Sequence, residues 1–178
     1  MALTFIASAT ASASATLEFT SGIDSTYNEY QFQFVNMHPQ TSSDFTFQVN
    51  ATDGADYNDS LITSTHFRTW HREDGSEYFF GYSDGHDQAQ VAGYQIMING
   101  VNNAADNGCS GVLTLYDPSS TTYVKHFTSR LHSDSGGGYS QDSFTAGYIN
   151  DTTAIDEISF KMSSGNIDAG TIYMYGVS

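Results

Sequence analysis

Apolar residues recur at every second position through much of this chain, and that spacing limits what it can fold into. In "EYQFQFVNM", Tyr30, Phe32 and Phe34 alternate with Glu29, Gln31 and Gln33. In "DFTFQVN", Phe45, Phe47 and Val49 alternate with Asp44, Thr46 and Gln48. Ala15, Leu17 and Phe19 share one parity, as do Leu113 and Leu115, and Ile158, Phe160 and Met162. Successive side chains of a strand point to opposite faces. The pattern therefore predicts antiparallel strands with one face buried and the other in water.

Turn-forming pairs separate these runs: Ser21-Gly22, His38-Pro39, Asp53-Gly54, Asp74-Gly75, Asp84-Gly85, Asn99-Gly100, Asp117-Pro118 and Ser164-Gly165, with the triplet Gly136-Gly137-Gly138 as a loop tip. The candidate strands are 3–9, 14–20, 29–37, 44–50, 61–71, 78–82, 94–98, 111–117, 123–131, 143–149, 155–162 and 171–177. Their number and spacing predict an all-β fold, a jelly-roll-like antiparallel β-sandwich spanning 1–178 as one domain. At least roughly two-fifths of the chain should be strand. One segment departs from the pattern. In "HDQAQVAGYQIMIN", Ala89, Ala92 and Ile96 sit at helical spacing while Tyr94, Ile96 and Ile98 alternate, which predicts a helical turn near 86–92 and then a strand. The expected core comprises Phe32, Phe34, Phe45, Phe47, Leu113, Leu115, Ile158 and Phe160. The last segment, "GTIYMYGVS", alternates Tyr173 and Tyr175 with Ile172 and Met174 and reads as a strand inside a sheet. The opening "MALTFIASATASASA" lacks a basic start and has a very short apolar stretch, so it reads as a strand and not as a leader.

Charge narrows the function. Five Lys plus Arg against twenty Asp plus Glu leave a net charge of −15. Such a surface has no basic cluster for a nucleic-acid backbone and would be repelled by an anionic membrane. It suits a soluble surface or a particle surface in salty water, where screening is strong. Cys109 is the only cysteine, so no intrachain disulfide is expected. The sequons at Asn50, Asn58 and Asn150 read as chance in a chain so rich in Asn, Ser and Thr.

No residue pattern marks a catalytic site, a cofactor site or a metal centre. Glu73-Asp74 falls in a turn and Asp156-Glu157 at a strand start, and neither forms the pair held about 5–9 Å apart that glycoside hydrolysis uses. His66 and His71 are five apart on one strand and so face opposite sides, His126 and His132 are six apart, and His38 ends a strand. "DGADYND" (53–59) carries Asp53, Asp56 and Asp59 around a glycine but not the calcium-loop spacing, and reads as a polar turn, as does "HREDGSEY" (71–78). Phosphate-loop patterns are absent from the sequence. Trp70, Tyr78, Phe79, Phe80 and Tyr82, beside Arg68 and Arg72, form an aromatic-rich stretch. Most of it is expected in the core, with Trp70 fitting either core or contact.

Two segments, "TLEFTSGIDSTYNEYQFQFVNMHP" (16–39) and 113–178, resemble small virion-type proteins of tailed bacteriophages, many of them marine. The shared pattern ends in a strand of the type G-T-I-x-x-Y-G-[IV], here Gly170 to Val177. The resemblance covers more than half of the chain and leaves roughly 74–110 unmatched. It implies a non-enzymatic virion structural protein, assembled in the bacterial host cytoplasm, with other virion proteins as partners: the major capsid protein or tail proteins. A capsid decoration protein on the outer head surface is the leading expectation. The alternatives are a tail-fibre or host-adhesion component and a carbohydrate-binding β-sandwich module, with a glycan as ligand. Homo-oligomerisation, as a trimer, is also expected. No nucleic acid, membrane or cofactor is expected as a partner.

Overall fold

The computed structural model describes residues 2–52, 54, 56, 57 and 60–178. The described strands are β1 (Leu3–Thr10), β2 (Leu17–Phe19), β3 (Glu29–Pro39), β4 (Ser43–Ala51), β5 (Ile62–Arg72), β6 (Tyr78–Tyr82), β7 (Ala89–Val91), β8 (Gln95–Val101), β9 (Cys109–Tyr116), β10 (Lys125–Ser135), β11 (Tyr139–Ile149), β12 (Ile155–Met162) and β13 (Ile167–Val177). More than half of the chain is strand, and no helix occurs among the described residues.

The strands form two antiparallel sheets, as in a β-sandwich. The larger runs β1-β13-β3-β9-β10-β11-β5-β6, with β7 also pairing with β5, and the smaller runs β2-β12-β4-β8. The chain crosses between sheets in neighbouring pairs. β1 and β2 lie beside β13 and β12, which lie beside β3 and β4, which lie beside β9 and β8. The segments β5–β7 and β10–β11 extend the larger sheet beyond β9.

The alternation read from the sequence fills the space between the sheets. Phe34 of β3 meets Phe45 of β4 with ring centroids 5.1 Å apart and Phe160 of β12 at 5.2 Å. Phe19 packs on Phe32 at 5.7 Å. All eight expected core residues are buried. Edge-to-face rings add to their area burial, because the positive edge of one ring meets the negative face of the next.

The terminal strand lies between β1 and β3, as its alternation suggested, with Ile172 and Met174 buried. Both glycines of its motif have a steric cause. A Cβ on Gly176 would lie 2.2 Å from the ring of Tyr27, which packs on Tyr30 with centroids 5.8 Å apart. Gly170 has φ +119, and its Cβ would lie 2.6 Å from the Asn36 carbonyl oxygen. A side chain at Gly176 would displace the Tyr27 ring, and one at Gly170 would push β13 away from β3.

Four local expectations need correction. The helical turn expected near 86–92 is absent: a turn closes with His86 N–H donating to the Ser83 carbonyl, and Ala89–Val91 then forms β7 against Ile62 and Thr63. The exposed edge of β5 supplies the reason, since Ser64 N–H needs an acceptor and finds the Gln88 carbonyl. The strand expected over 14–20 is only Leu17–Phe19, because Ala13 turns the chain with φ 51. The strands expected at 123–131 and 143–149 extend to Ser135 and begin at Tyr139, so that one long hairpin closes over the three glycines. The terminal strand likewise starts earlier, at Ile167.

Candidate surface site on the appended strands

The aromatic stretch expected in the core lies on the surface. Tyr78 is 82% exposed, Phe80 74% and Tyr82 55%, and Phe67 and Phe79 are also exposed. Strand pairing explains this outcome for all of them except Phe79, which is paired with Trp70. Phe67 is opposite Tyr82 and Thr69 is opposite Phe80, and directly opposed residues share a face. The inward parity of β5 is held instead by Ser64, His66 and Arg68. Ser64 Oγ donates to Gln95 Oε1 of β8 at 2.6 Å, and Arg68 Nη1 donates to Asn99 Oδ1 of β8 at 2.8 Å. With polar groups turned toward the smaller sheet, the odd-numbered residues of β5 must face outward.

The outward rings form a row across three strands, continued by an arginine on a fourth. Arg130 of β10 makes a two-pronged ion pair with Asp142 of β11, Nη2 to Oδ2 at 2.7 Å and Nε to Oδ2 at 3.0 Å. Its guanidinium also sits 4.9 Å from the centroid of Phe144. Phe144 stacks on Phe67 of β5 at 4.8 Å with planes 7° apart, and Phe67 meets Phe80 of β6 edge-on at 5.9 Å. β6 is the outermost strand of its sheet, so the row ends on an open edge.

Behind this row lies an imidazole pair, His66 buried and His86 half-buried. His66 accepts or donates through Nδ1 with the Thr145 hydroxyl at 2.9 Å, and its ring lies 5.3 Å from that of His86. Burial, helped by His86 and Arg68, pushes the His66 pKa down to about 4. His86 Nδ1 bonds the Ser83 hydroxyl at 2.8 Å, and its pKa is lowered by burial and then by Arg68. This pairing could not be read from the sequence, because it depends on the hairpin of β5 and β6 carrying the chain back to β8.

On the inward rim of the same strands, Trp70 stacks on Phe79 with centroids 5.8 Å apart and planes at 19°. Tyr139 stands against Trp70 at 5.0 Å and 85°. Trp70, Tyr139, Ser135 and Gln141 line a small groove of about 170 Å³. A larger open depression, about 660 Å³, lies elsewhere, lined by Asn36, His38, Asp106, His132, Asp134 and Asp168 among others.

All five cationic side chains are engaged within the protein. Arg68 bonds Asn99, Arg72 lies near Asp74 and Glu77 at 3.4 and 3.8 Å, and Arg130 pairs with Asp142. Lys161 Nζ sits 3.9 Å from the Tyr94 ring centroid. Lys125 is fully buried and donates to the carbonyls of Asp151 and Thr153. Free charge on the surface is therefore almost wholly negative.

Of the remaining residues singled out from sequence, His38 and His132 both line the larger depression, and the others stay apart. His66 is buried and His71 exposed, on opposite faces as expected. His38 Nδ1 meets the Asn107 carbonyl at 2.7 Å, and His132 Nε2 the Ser140 hydroxyl at 2.9 Å. Glu73 and Asp74 lie in a turn in which Asp74 accepts from Ser76 N–H at 2.9 Å. Glu157 accepts from Asn50 Nδ2 at 3.1 Å and from the Tyr57 hydroxyl at 3.3 Å. Cys109 is a buried free thiol, its pKa raised by burial. Asp53, Asp59 and the sequon residue Asn58 lie outside the described residues, so the turn expected at 53–59 is described only in part. No group of three metal-binding side chains forms among the described residues. Neither protein-family models nor curated proteins match this chain.

Proposed function

We propose that the protein is a non-enzymatic structural component of a bacteriophage virion, a decoration protein on the outer surface of the head. The observation that carries the reading is the division of its surface. The outward rings of β5, β6 and β11 form an aromatic strip, whereas free charge elsewhere is acidic. A decoration protein needs one adhesive face and an outer face that repels its neighbours. Exposed aromatic rings gain burial on contact, and unpaired carboxylates resist aggregation.

The fold in this proposal is an eight-stranded jelly roll carrying two insertions. Its support is the strand order: β1-β13-β3-β9 faces β2-β12-β4-β8, and among these eight strands the chain changes sheet at every step except from β4 to β8. The insertions β5–β7 and β10–β11 enter at two separate points and come together as one flap that presents the aromatic strip. The partner in this reading is the major capsid protein, and self-association into a trimer would multiply each weak contact.

Purified protein added to particles lacking it tests the proposal. Wild-type protein should bind, and a variant with Phe67, Phe80 and Tyr82 all changed to Ser should lose most binding while keeping its far-ultraviolet spectrum. Equal binding by the folded variant would refute the docking face. Light scattering tests the trimer, which should weaken as salt is lowered because the subunits are acidic.

A further inference from the structure

We propose that the groove between Trp70 and Tyr139 is a binding site for one neutral pyranose ring at the end of a glycan. This goes beyond the structural role above and uses a different face of the same strands. Trp70 is paired with Phe79 and Gln141, so the groove is on the inward parity, whereas Phe67, Phe80 and Tyr82 are on the outward one.

The site has two aromatic walls near a right angle, with Trp70 and Tyr139 planes at 85°. Both walls are held in place. Phe79 backs Trp70. The Tyr139 hydroxyl donates to Glu77 Oε2 at 3.1 Å, and the Arg72 guanidinium sits 5.5 Å from its ring centroid. The polar lining comes from Ser135 and Gln141. Gln141 Nε2 donates to the Asn99 carbonyl at 2.9 Å, which fixes the amide and leaves its Oε1 as an acceptor.

These features match a sugar ring. One face of a pyranose presents C–H groups with partial positive charge, which suit the negative face of an aromatic ring, while its rim carries hydroxyls for a side-chain amide and a hydroxyl. The volume of about 170 Å³ matches one such ring. Charge selects the class further. A net charge of −15 opposes acidic sugars. Arg72, already placed over Tyr139, opposes an organic cation in the same corner.

Trp70 is the only tryptophan, so its fluorescence reports on the groove directly. The full chain would be titrated with methyl glycosides of glucose, galactose, mannose, N-acetylglucosamine and N-acetylgalactosamine. Glucuronate and tetramethylammonium serve as charged comparisons. At least one neutral glycoside should shift the emission with a Kd in the millimolar range. By saturation-transfer NMR, Trp70→Ala and Gln141→Ala should each weaken binding about tenfold or more. Trp70→Phe, which keeps an aromatic wall, should weaken it less, and Tyr123→Ser, at an exposed residue outside the groove, should leave it unchanged. The proposal is overturned if no neutral glycoside binds at about 100 mM, a level that detects even very weak sites. It is overturned equally if Trp70→Phe and Gln141→Ala, both folded, bind as wild type does, or if only a charged probe binds.

Discussion

In β3 the side chains pointing toward the smaller sheet are Tyr30, Phe32 and Phe34, all buried. In β5 the corresponding positions hold Ser64, His66 and Arg68, and the rings of Phe67 and its neighbours on β6 point outward. β11 repeats the arrangement, with Gln141, Ser143 and Thr145 buried and Phe144 on the outer face against Phe67. Both regions alternate with the period of a strand, but their polarity is opposite. Alternation reports that a segment is a strand; what packs against each face decides which set is buried. Turning polar groups inward costs desolvation, and several of them, including the hydroxyls of Ser129, Ser133 and Ser143, have no protein partner in this layer among the described residues. A flap built at that cost, with its rings in water, has the character of a contact surface.

The largest expected effect lies in the aromatic core. Phe160 touches Phe19, Phe32, Phe34 and Phe45. Phe160→Ala should lower unfolding free energy by about 3–5 kcal/mol in urea titration. Phe80→Ser should change it by no more than about 0.5 kcal/mol, as a surface site does. Comparable losses at the two positions would erase the contrast.

The buried imidazole of the flap should make stability depend on pH. His66 has its pKa lowered to about 4 in the folded protein, against an ordinary value of about 6.5. The unfolded chain therefore binds more protons between these values. Stability is fully present above about pH 6.5 and falls as pH drops toward 4, by at most roughly 3 kcal/mol. Denaturation at a series of pH values checks this, and His66→Gln should flatten that part of the profile. An unchanged slope in a folded His66→Gln protein would place the titration elsewhere.

The terminal motif should show a smaller effect. Gly176→Ala must displace the Tyr27 ring and should cost about 1–3 kcal/mol. A thermal midpoint equal to that of wild type would show that Tyr27 can move aside freely.

The difference between the regions also marks what was legible in advance. The positions of β3, β4, β12 and the eight core residues followed from alternation, because there the apolar parity is also the buried one. The surface placement of Tyr78, Phe80 and Tyr82 did not, because it depends on β5 turning His66 and Arg68 toward β8. β7 was missed for a related reason: Ala89, Gln90 and Val91 are all exposed and carry no burial pattern, and their pairing is imposed by the edge of β5. The groove joins Trp70 to Tyr139 and Gln141, residues far apart in sequence that become neighbours only through the pairing of β5 with β11.

A density map of the intact virion tests the docking face most directly. The flap should be found against the head surface, with Phe67, Phe80 and Tyr82 covered by the major capsid protein and the acidic faces turned to solvent. The same rings lying open to solvent on the particle, with another face of the protein making the contact, would contradict it.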